Sequence, residues 1–250
     1  MKSLLFQTKS IALLLAISAL FFPSTVVLAQ KRFAKTYPTS RSIRLQLINR
    51  SGTITVSGWE RNEIRVTALM EAPAAKVIPE SNGEGLTINV VRDNYGRADV
   101  GSVNFEIKVP VGSNVDIETK MGNLTVRDVS GEMVRANVTS EGDITLSNIK
   151  ASSVMAANVI GDIFFDGEFH EGGTYRFSTT RGNINMHVPF SSSFRMVATA
   201  PSTRNISLGS FVNSGLNFIS QGQRVIGNVG GGNASLTVSS QRGSISFVKN

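Results

Sequence analysis

The sequence contains no cysteine. That excludes disulfides, a thiol nucleophile and lipid attachment through a cysteine. It also lacks a Gly-x-Ser-x-Gly elbow and a credible Ser-His-Asp set, so hydrolase chemistry of the nucleophilic kind has no carrier. Histidine is scarce, with only His170 and His187. No segment shows helical periodicity with caps over about ten residues, which sets aside helical folds. Long apolar runs are missing too. The one candidate, Ile11 to Phe22, is too short and wrongly flanked for a membrane span.

What is present begins with that run. Lys2 and Lys9 give a positive start, and Val27-Leu28-Ala29 places small residues where a signal peptidase reads. The expectation is a cleaved secretory signal over 1–29, with Gln30 as the new N-terminus and no membrane span after cleavage. Cleavage leaves 221 residues and, by removing two lysines, takes the formal charge from +7 to +5. A chain of that length buries enough surface to be stable without disulfides. Export to the periplasm, cell surface or medium makes nucleic acid an unsuitable partner. Lys31, Arg32, Lys35, Arg41, Arg44 and Arg50 concentrate positive charge near the new terminus. Residues 30–40 lack periodicity and read as a disordered lead-in.

From Ser42 onward the chain alternates. Ile43, Leu45 and Leu47 form one strand, Asn49-Arg50-Ser51-Gly52 a turn, and Ile54 and Val56 a second strand. Ile64, Val66 and Ala68 follow, then a loop over 71–84, then Leu86, Ile88 and Val90. Asp93-Asn94-Tyr95-Gly96 is a turn, and Val103, Phe105, Ile107 and Val109 a clean strand. These strands over 41–119 have no fixed period. Over 120–250 the period takes hold. Gly122-Asn123-Leu124-Thr125-Val126 recurs as Gly142-Asp143-Ile144-Thr145-Leu146, Gly161-Asp162-Ile163-Phe164-Phe165 and Gly182-Asn183-Ile184-Asn185-Met186, with glycines 20, 19 and 21 residues apart. Each coil carries a second alternating run: Val134-x-Ala136, Val154-x-Ala156, Tyr175-x-Phe177, Phe194-x-Met196. Arg204 stands where the next glycine belongs, and Gly243-Ser244-Ile245-Ser246-Phe247 closes the series after the glycine-rich 227–232.

A glycine turn, a two-residue alternation and a period near 20 residues predict an all-β fold: a single-stranded parallel β-helix, or solenoid, of stacked coils about 4.8 Å apart. The domain spans 41–250, with 41–119 as irregular first coils or a cap. Both ends of such a stack need protection, and Lys249-Asn250 is a candidate blunting device for the last strand. A flat β-sandwich is the competing fold; it requires turns every 8–12 residues or so and no in-register repeat.

The Gly-Asp/Asn-Ile-x-Val/Leu repeats, the preceding Phe105-Glu106-Ile107-Lys108-Val109-Pro110-Val111-Gly112 strand, and the closing Leu236-Thr237-Val238 with Gly243-Ser244-Ile245 resemble the bacterial putative-adhesin family of uncharacterised exported proteins. Gly52-Thr53-Ile54-Thr55-Val56-Ser57-Gly58-Trp59 fits the same style, and Arg204 departs from it. The resemblance implies a parallel β-solenoid and little about activity, since adhesion there is itself inferred from fold and location.

Three constellations merit weighing. Asn123, Asp143, Asp162, Asn183 and Asn205 form a ladder along one edge, where Asp143 and Asp162 become neighbours. Paired carboxylates suit acid–base work or Ca²⁺; short polar side chains after glycine equally serve the turn backbone. His170 with Asp166, Glu168 and Glu171 gathers metal-ligating types in one turn, with His187 in the adjacent coil, but a metal needs three or four convergent ligands. Trp59, Tyr95, Phe164 and Tyr175 are aromatic candidates for glycan contact, with Tyr175 better assigned to the core. No catalytic, cofactor or metal residue is assigned, and no cofactor is implied. The leading functional expectation is a non-enzymatic envelope or secreted scaffold that meets a surface polysaccharide or envelope protein. The alternative is a β-helix carbohydrate-active enzyme, and a third option is a rod that self-assembles through bare coil ends. Function is expected where the repeat breaks: the Asp166–Gly173 turn, the Arg204 corner, and the strands around Trp59.

Overall fold

The computed structural model describes residues 30–39, 41–201, 205–219 and 223–249. The signal segment and the Arg204 corner therefore lie outside the described residues. The described residues are all-β apart from a helical turn at Val90–Asp93 and a 3-10 turn at Gly209–Phe211, and they build two long mixed sheets.

The regular part follows the repeat. Strand β8 (Asn114–Met121) leads into β9 (Leu124–Val129), β10 (Met133–Glu141) into β11 (Ile144–Ile149), β12 (Ser153–Ile160) into β13 (Ile163–Gly167), and β14 (Thr174–Arg181) into β15 (Ile184–Val188). The first of each pair joins one sheet and the second joins the other, and neighbours pair in parallel. Alternation aims every second side chain between the sheets. One inward row runs Val115, Val134, Val154, Tyr175; the facing row runs Leu124, Ile144, Ile163, Ile184. All eight are buried. The small Ala136 and Ala156 stack in register beside Phe177, and Phe165 packs on Phe177 with ring centroids 4.9 Å apart. Small coils beside aromatic coils keep the bore constant and the interior dense.

The two ends depart from the expected all-parallel stack. At the N-terminal end, β2 (Arg44–Ser51) and β3 (Ile54–Trp59) do not form the outermost layer. Strand β2 lies between β8 and β6 (Gly85–Asn89), and β3 between β9 and β7 (Val103–Pro110). Strand β7 then pairs antiparallel with β4 (Glu63–Met70), and β4 with β1 (Lys31–Pro38). On the other sheet the two-residue β5 (Glu80–Ser81) adds antiparallel to β6. The segment expected as a disordered lead-in over 30–40 is thus the edge strand β1. Its apolar Phe33 and Tyr37 pair opposite Ala68 and Ile64 on the inner side; strand pairing supplied by β4, rather than its own periodicity, orders it.

The C-terminal end mirrors this. Strand β20 (Ala234–Ser240) inserts between β14 and β16 (Phe194–Thr199), and β21 (Ile245–Lys249) between β15 and β17 (Ile206–Ser207). Antiparallel β19 (Arg224–Val229) and β18 (Leu216–Ile219) then extend one sheet. So β21 is an interior strand, not the edge that Lys249-Asn250 was expected to blunt, and Asn250 lies outside the described residues. The glycine-rich stretch is partly strand as well, since Gly227 pairs with Met196 and Leu216 inside β19.

Candidate functional site

The repeated polar ladder is structural. Asn123 Oδ1 accepts from the Asp143 backbone N–H at 3.0 Å, Asp143 Oδ1 from Asp162 N–H at 2.8 Å, Asp162 Oδ1 from Asn183 N–H at 2.7 Å, and Asn183 Oδ1 from Ser244 N–H at 3.0 Å. Each side chain satisfies an amide of the next coil, where the corner leaves it without a strand partner. The beginning of the same ladder is Asn104, whose Oδ1 accepts from Thr53 N–H at 2.8 Å.

The Asp166–Gly173 turn is likewise absorbed. His170 donates its backbone N–H to the Tyr175 hydroxyl at 2.7 Å, and that hydroxyl donates to the Ala151 carbonyl at 3.0 Å. Burial raises the Tyr175 pKa, with the His170 N–H pulling it the other way. Glu168 pairs with Lys150 at 3.4 Å, and Glu171 accepts from Asn233 at 3.3 Å. His187 lies on the outer face of its sheet, opposite Asp166 in strand register and away from His170, with its ring 5.0 Å edge-on from Phe164. Among the described residues no three His, Cys, Asp or Glu side chains converge on a metal position.

Trp59 is half-buried and already covered. Arg65, Arg61 and Lys108 lie 5.1, 5.2 and 5.7 Å from its ring centroid, and its indole N–H donates to the Glu63 carbonyl at 2.8 Å. Glu63 in turn meets Arg61 and Arg65 at 3.6 and 3.7 Å. The ring serves as a platform for the protein's own cations, and does not offer a bare face to a ligand.

A concavity with an apolar lining lies at the other break in the repeat, where β2 ends beside the helical turn α1 (Val90–Asp93) and the loop to β7. It encloses about 480 Å³. Local chemistry explains its shape. Asn89 caps α1 by accepting from Arg92 N–H at 2.9 Å. Asn94, nearly buried, accepts from Lys76 N–H at 2.7 Å and donates to the Lys76 and Val90 carbonyls, both at 2.8 Å. One amide thereby ties the 71–84 loop to α1. Asn49 donates to the Ser51 and Val103 carbonyls, both at 3.0 Å, fixing the floor against β7. Val90, Val91, Val100 and Val103 make the lining mostly apolar. Tyr95 stands on the rim, 92% exposed.

Arg50, Arg97 and Lys120 bring positive charge to this cleft. Arg50 donates to the Arg97 carbonyl at 3.1 Å, and the Arg97 guanidinium donates to the Ala74 carbonyl and Asn94 Oδ1, both at 3.3 Å. Among the described residues no carboxylate pairs with any of the three. Arg92, by contrast, is engaged by Glu80 at 2.8 Å, whose hydrogen bond raises its pKa above the ordinary arginine value. Three cations whose charge meets no carboxylate among the described residues, set over an apolar floor, form a ready site for an anionic ligand.

A second groove, of about 440 Å³, follows directly along the glycine corners, lined by Met121, Asn123, Glu141 and Asp143 among others. Lys120 of the first cleft precedes Met121 of the second in the chain, and Ser51 of the first pairs with Met121 across β2 and β8. Sequence reading identified Tyr95 as a ring candidate but read Asn49-Arg50-Ser51-Gly52 and the Asp93–Gly96 turn only as turns. It counted Arg50 only within the basic run near the new terminus, and it missed Arg97 and Lys120. The available signal was an arginine in or next to each of the two turns, Arg50 and Arg97.

No curated protein matches the chain. A putative cell adhesion protein from Clostridium sporogenes is 12% identical and matches over 89% of this chain and 100% of its own, with a TM-score of 0.51. That likeness is one of fold. A putative adhesin from Bacteroides fragilis, 9% identical, matches 88% of this chain and 99% of its own with a TM-score of 0.45. A protein from Parabacteroides distasonis named a putative lipid binding protein, 10% identical, matches 87% and 97% with a TM-score of 0.36. The sequence pattern of the Toastrack DUF4097 family matches residues 91–246, more than half of the chain and nearly all of the repeat-bearing part, and the chain belongs to that family.

Proposed function

We propose that this chain is an exported, non-enzymatic binding scaffold: a β-solenoid of about 20-residue coils that holds a ligand cleft rigidly at the cell envelope or outside it. In this reading residues 1–29 are removed as a signal, and 41–250 act as one domain with β1 as its edge strand. The observation that carries it is the cleft at the end of β2, where Arg50, Arg97 and Lys120 meet an apolar lining and the exposed ring of Tyr95. A site on a stacked sheet is held in place without paying an ordering cost on binding. The name of the Clostridium sporogenes structure of similar fold, a putative cell adhesion protein, agrees with a surface role.

The carboxylates that an enzyme would use are the ladder aspartates, and each of these accepts a backbone N–H from the next coil. The polymer partner is a surface polysaccharide or an envelope protein. Retention of purified 30–250 on immobilised envelope polymers, with the eluate assayed for shortened chains, tests the reading. Retention without cleavage is expected. Cleavage of any polymer overturns the scaffold and restores the carbohydrate-active alternative; failure to retain any polymer overturns binding.

A further inference from the structure

The two adjoining grooves differ in charge. The cleft beside α1 carries Arg50, Arg97 and Lys120 with an apolar lining. The corner groove that continues from Met121 carries Asn123, Glu141 and Asp143. Glu141 is exposed and forms no ion pair among the described residues. Asp143 spends one carboxylate oxygen on the Asp162 N–H, which leaves the other as an acceptor. A ligand lying along both grooves therefore needs an anionic group at one end and hydrogen-bond donors at the other. It also needs an apolar face to rest on Tyr95 and Val91, which are 92% and 48% exposed.

We infer that the joined grooves bind a segment of acidic polysaccharide in a fixed direction, with a hexuronate-type unit over Arg50, Arg97 and Lys120 and hydroxyl-bearing units along the Asn123–Glu141–Asp143 groove. The inference rests on the binding-scaffold reading above and names its ligand class. Sugar carboxylates are recognised by guanidinium and ammonium groups. The C–H face of a sugar ring packs on an aromatic side chain as other apolar surface does. Sugar hydroxyls donate to Glu141 and Asp143. An anionic lipid satisfies the first groove but not the second, because its acyl chains carry no donors for Glu141 and Asp143. The inserted coil brings the two grooves side by side, because Ser51 of β2 sits directly beside Met121 of β8. Had β2 been placed outermost, where chain order puts it, β6 would separate it from β8.

Isothermal titration calorimetry of purified 30–250 against a hexasaccharide carrying one terminal hexuronate on neutral hexoses, a neutral glucose hexamer and phosphatidylglycerol vesicles tests this. The hexuronate is expected to bind, at least about tenfold more tightly than the neutral hexamer, with affinity falling as salt rises. Lys120→Glu and Tyr95→Ala each alter an exposed side chain, and thermal melts verify that the variants fold. Each is expected to weaken hexuronate binding by about fivefold or more. Equal affinity for the neutral hexamer overturns the inference, as does vesicle binding without hexuronate binding. Hexuronate binding unchanged in both variants overturns this site while leaving polymer binding intact. A wild-type chain that binds no hexuronate yet is retained by another envelope polymer removes the ligand class and keeps the scaffold.

Discussion

At Gly142 a methyl group has nowhere to go: it would fall within contact distance of the Gly122 carbonyl oxygen, and φ is +151°. The corner glycines are there because each coil passes backbone-to-backbone over the last. Gly142→Ala is therefore expected to cost about 2–4 kcal/mol, combining overpacking with a backbone region that alanine avoids, read as a shift in urea midpoint at constant slope. The neighbouring Asp143 separates a structural from a chemical role. Asp143→Asn keeps an acceptor for the Asp162 N–H and is expected to stay within about 0.5 kcal/mol of wild type. Asp143→Ala leaves that N–H without its partner and should cost about 1 kcal/mol. Equal losses in both would mean that the charge itself matters. Tyr175 is the buried counterpart. Its folded pKa is raised by burial above the ordinary 10.0, so the neutral phenol is the form the fold prefers. Its contribution is complete below pH 10 and is lost as pH climbs through the raised value. Tyr175→Phe should lower stability by about 1–3 kcal/mol at neutral pH and flatten the alkaline decline, with Tyr37, shifted in the same direction by burial, accounting for what remains. At this scale the sequence was readable wherever a residue repeated. The glycines, the Asn/Asp ladder and the inward Tyr175 all follow from period and turn chemistry. The cleft cations were not readable, because Arg50, Arg97 and Lys120 lie far apart along the chain and meet only once β2, the loop before β7 and β8 are neighbours.

Among the elements, β1 shows what periodicity misses. Its sequence, KRFAKTYP, is mostly exposed and has one buried residue, Tyr37. Nothing in that pattern calls for a strand; the free edge of β4 does. Unpaired edges recruit partners, and here the chain supplies its own. A chain starting at residue 41 is expected to keep its fold, because the core rows run through β4 and inward, but to expose the β4 edge to a second copy. Sedimentation velocity should then show concentration-dependent dimers that the chain starting at residue 30 does not form. A truncated chain that stays monomeric would mean that β4 is protected by its charged outer face alone, with Arg65 and Glu63 as the agents. Strands β2 and β3 were read correctly from alternation and from their turn. Their position was not, because alternation fixes which face a strand buries and says nothing about which neighbour it takes.

The placement of the two chain ends governs the whole molecule. Both terminal coils are threaded one layer inside the stack: β2–β3 between the β6–β7 and β8–β9 layers, and β20–β21 between the β14–β15 and β16–β17 layers. Antiparallel strands β4 and β1 then extend one sheet at one end, and β19 and β18 extend the other sheet at the opposite end. This topology works against the self-assembling rod, since a regular coil end that could template another molecule is not what either end presents. It also makes the last strand central to stability. Strand β21 receives β15 on one side and β17 on the other, Ile184 N–H donates to the Ser244 carbonyl at 2.8 Å, and Phe247 stacks with Phe194 at 6.4 Å between centroids. A chain ending at residue 242 loses all of these and opens a slot between β15 and the short edge strand β17, whereas in a stack laid down in chain order it would lose only an outer edge. Hydrogen exchange distinguishes the two. Removing residues 243–250 is expected to strip protection from β15 amides such as Ile184 and from Phe194 and Met196 in β16, while leaving Leu124 and Ile144 protected. Removing β1 should leave β15 untouched. If the shortened chain instead keeps full protection at Ile184, β21 is an edge in solution and the inserted order is wrong. The same experiment bears on the cleft, because β2 is held at the other end by the same device, and the groove from Arg50 to Asp143 exists only while that inserted coil stays in place.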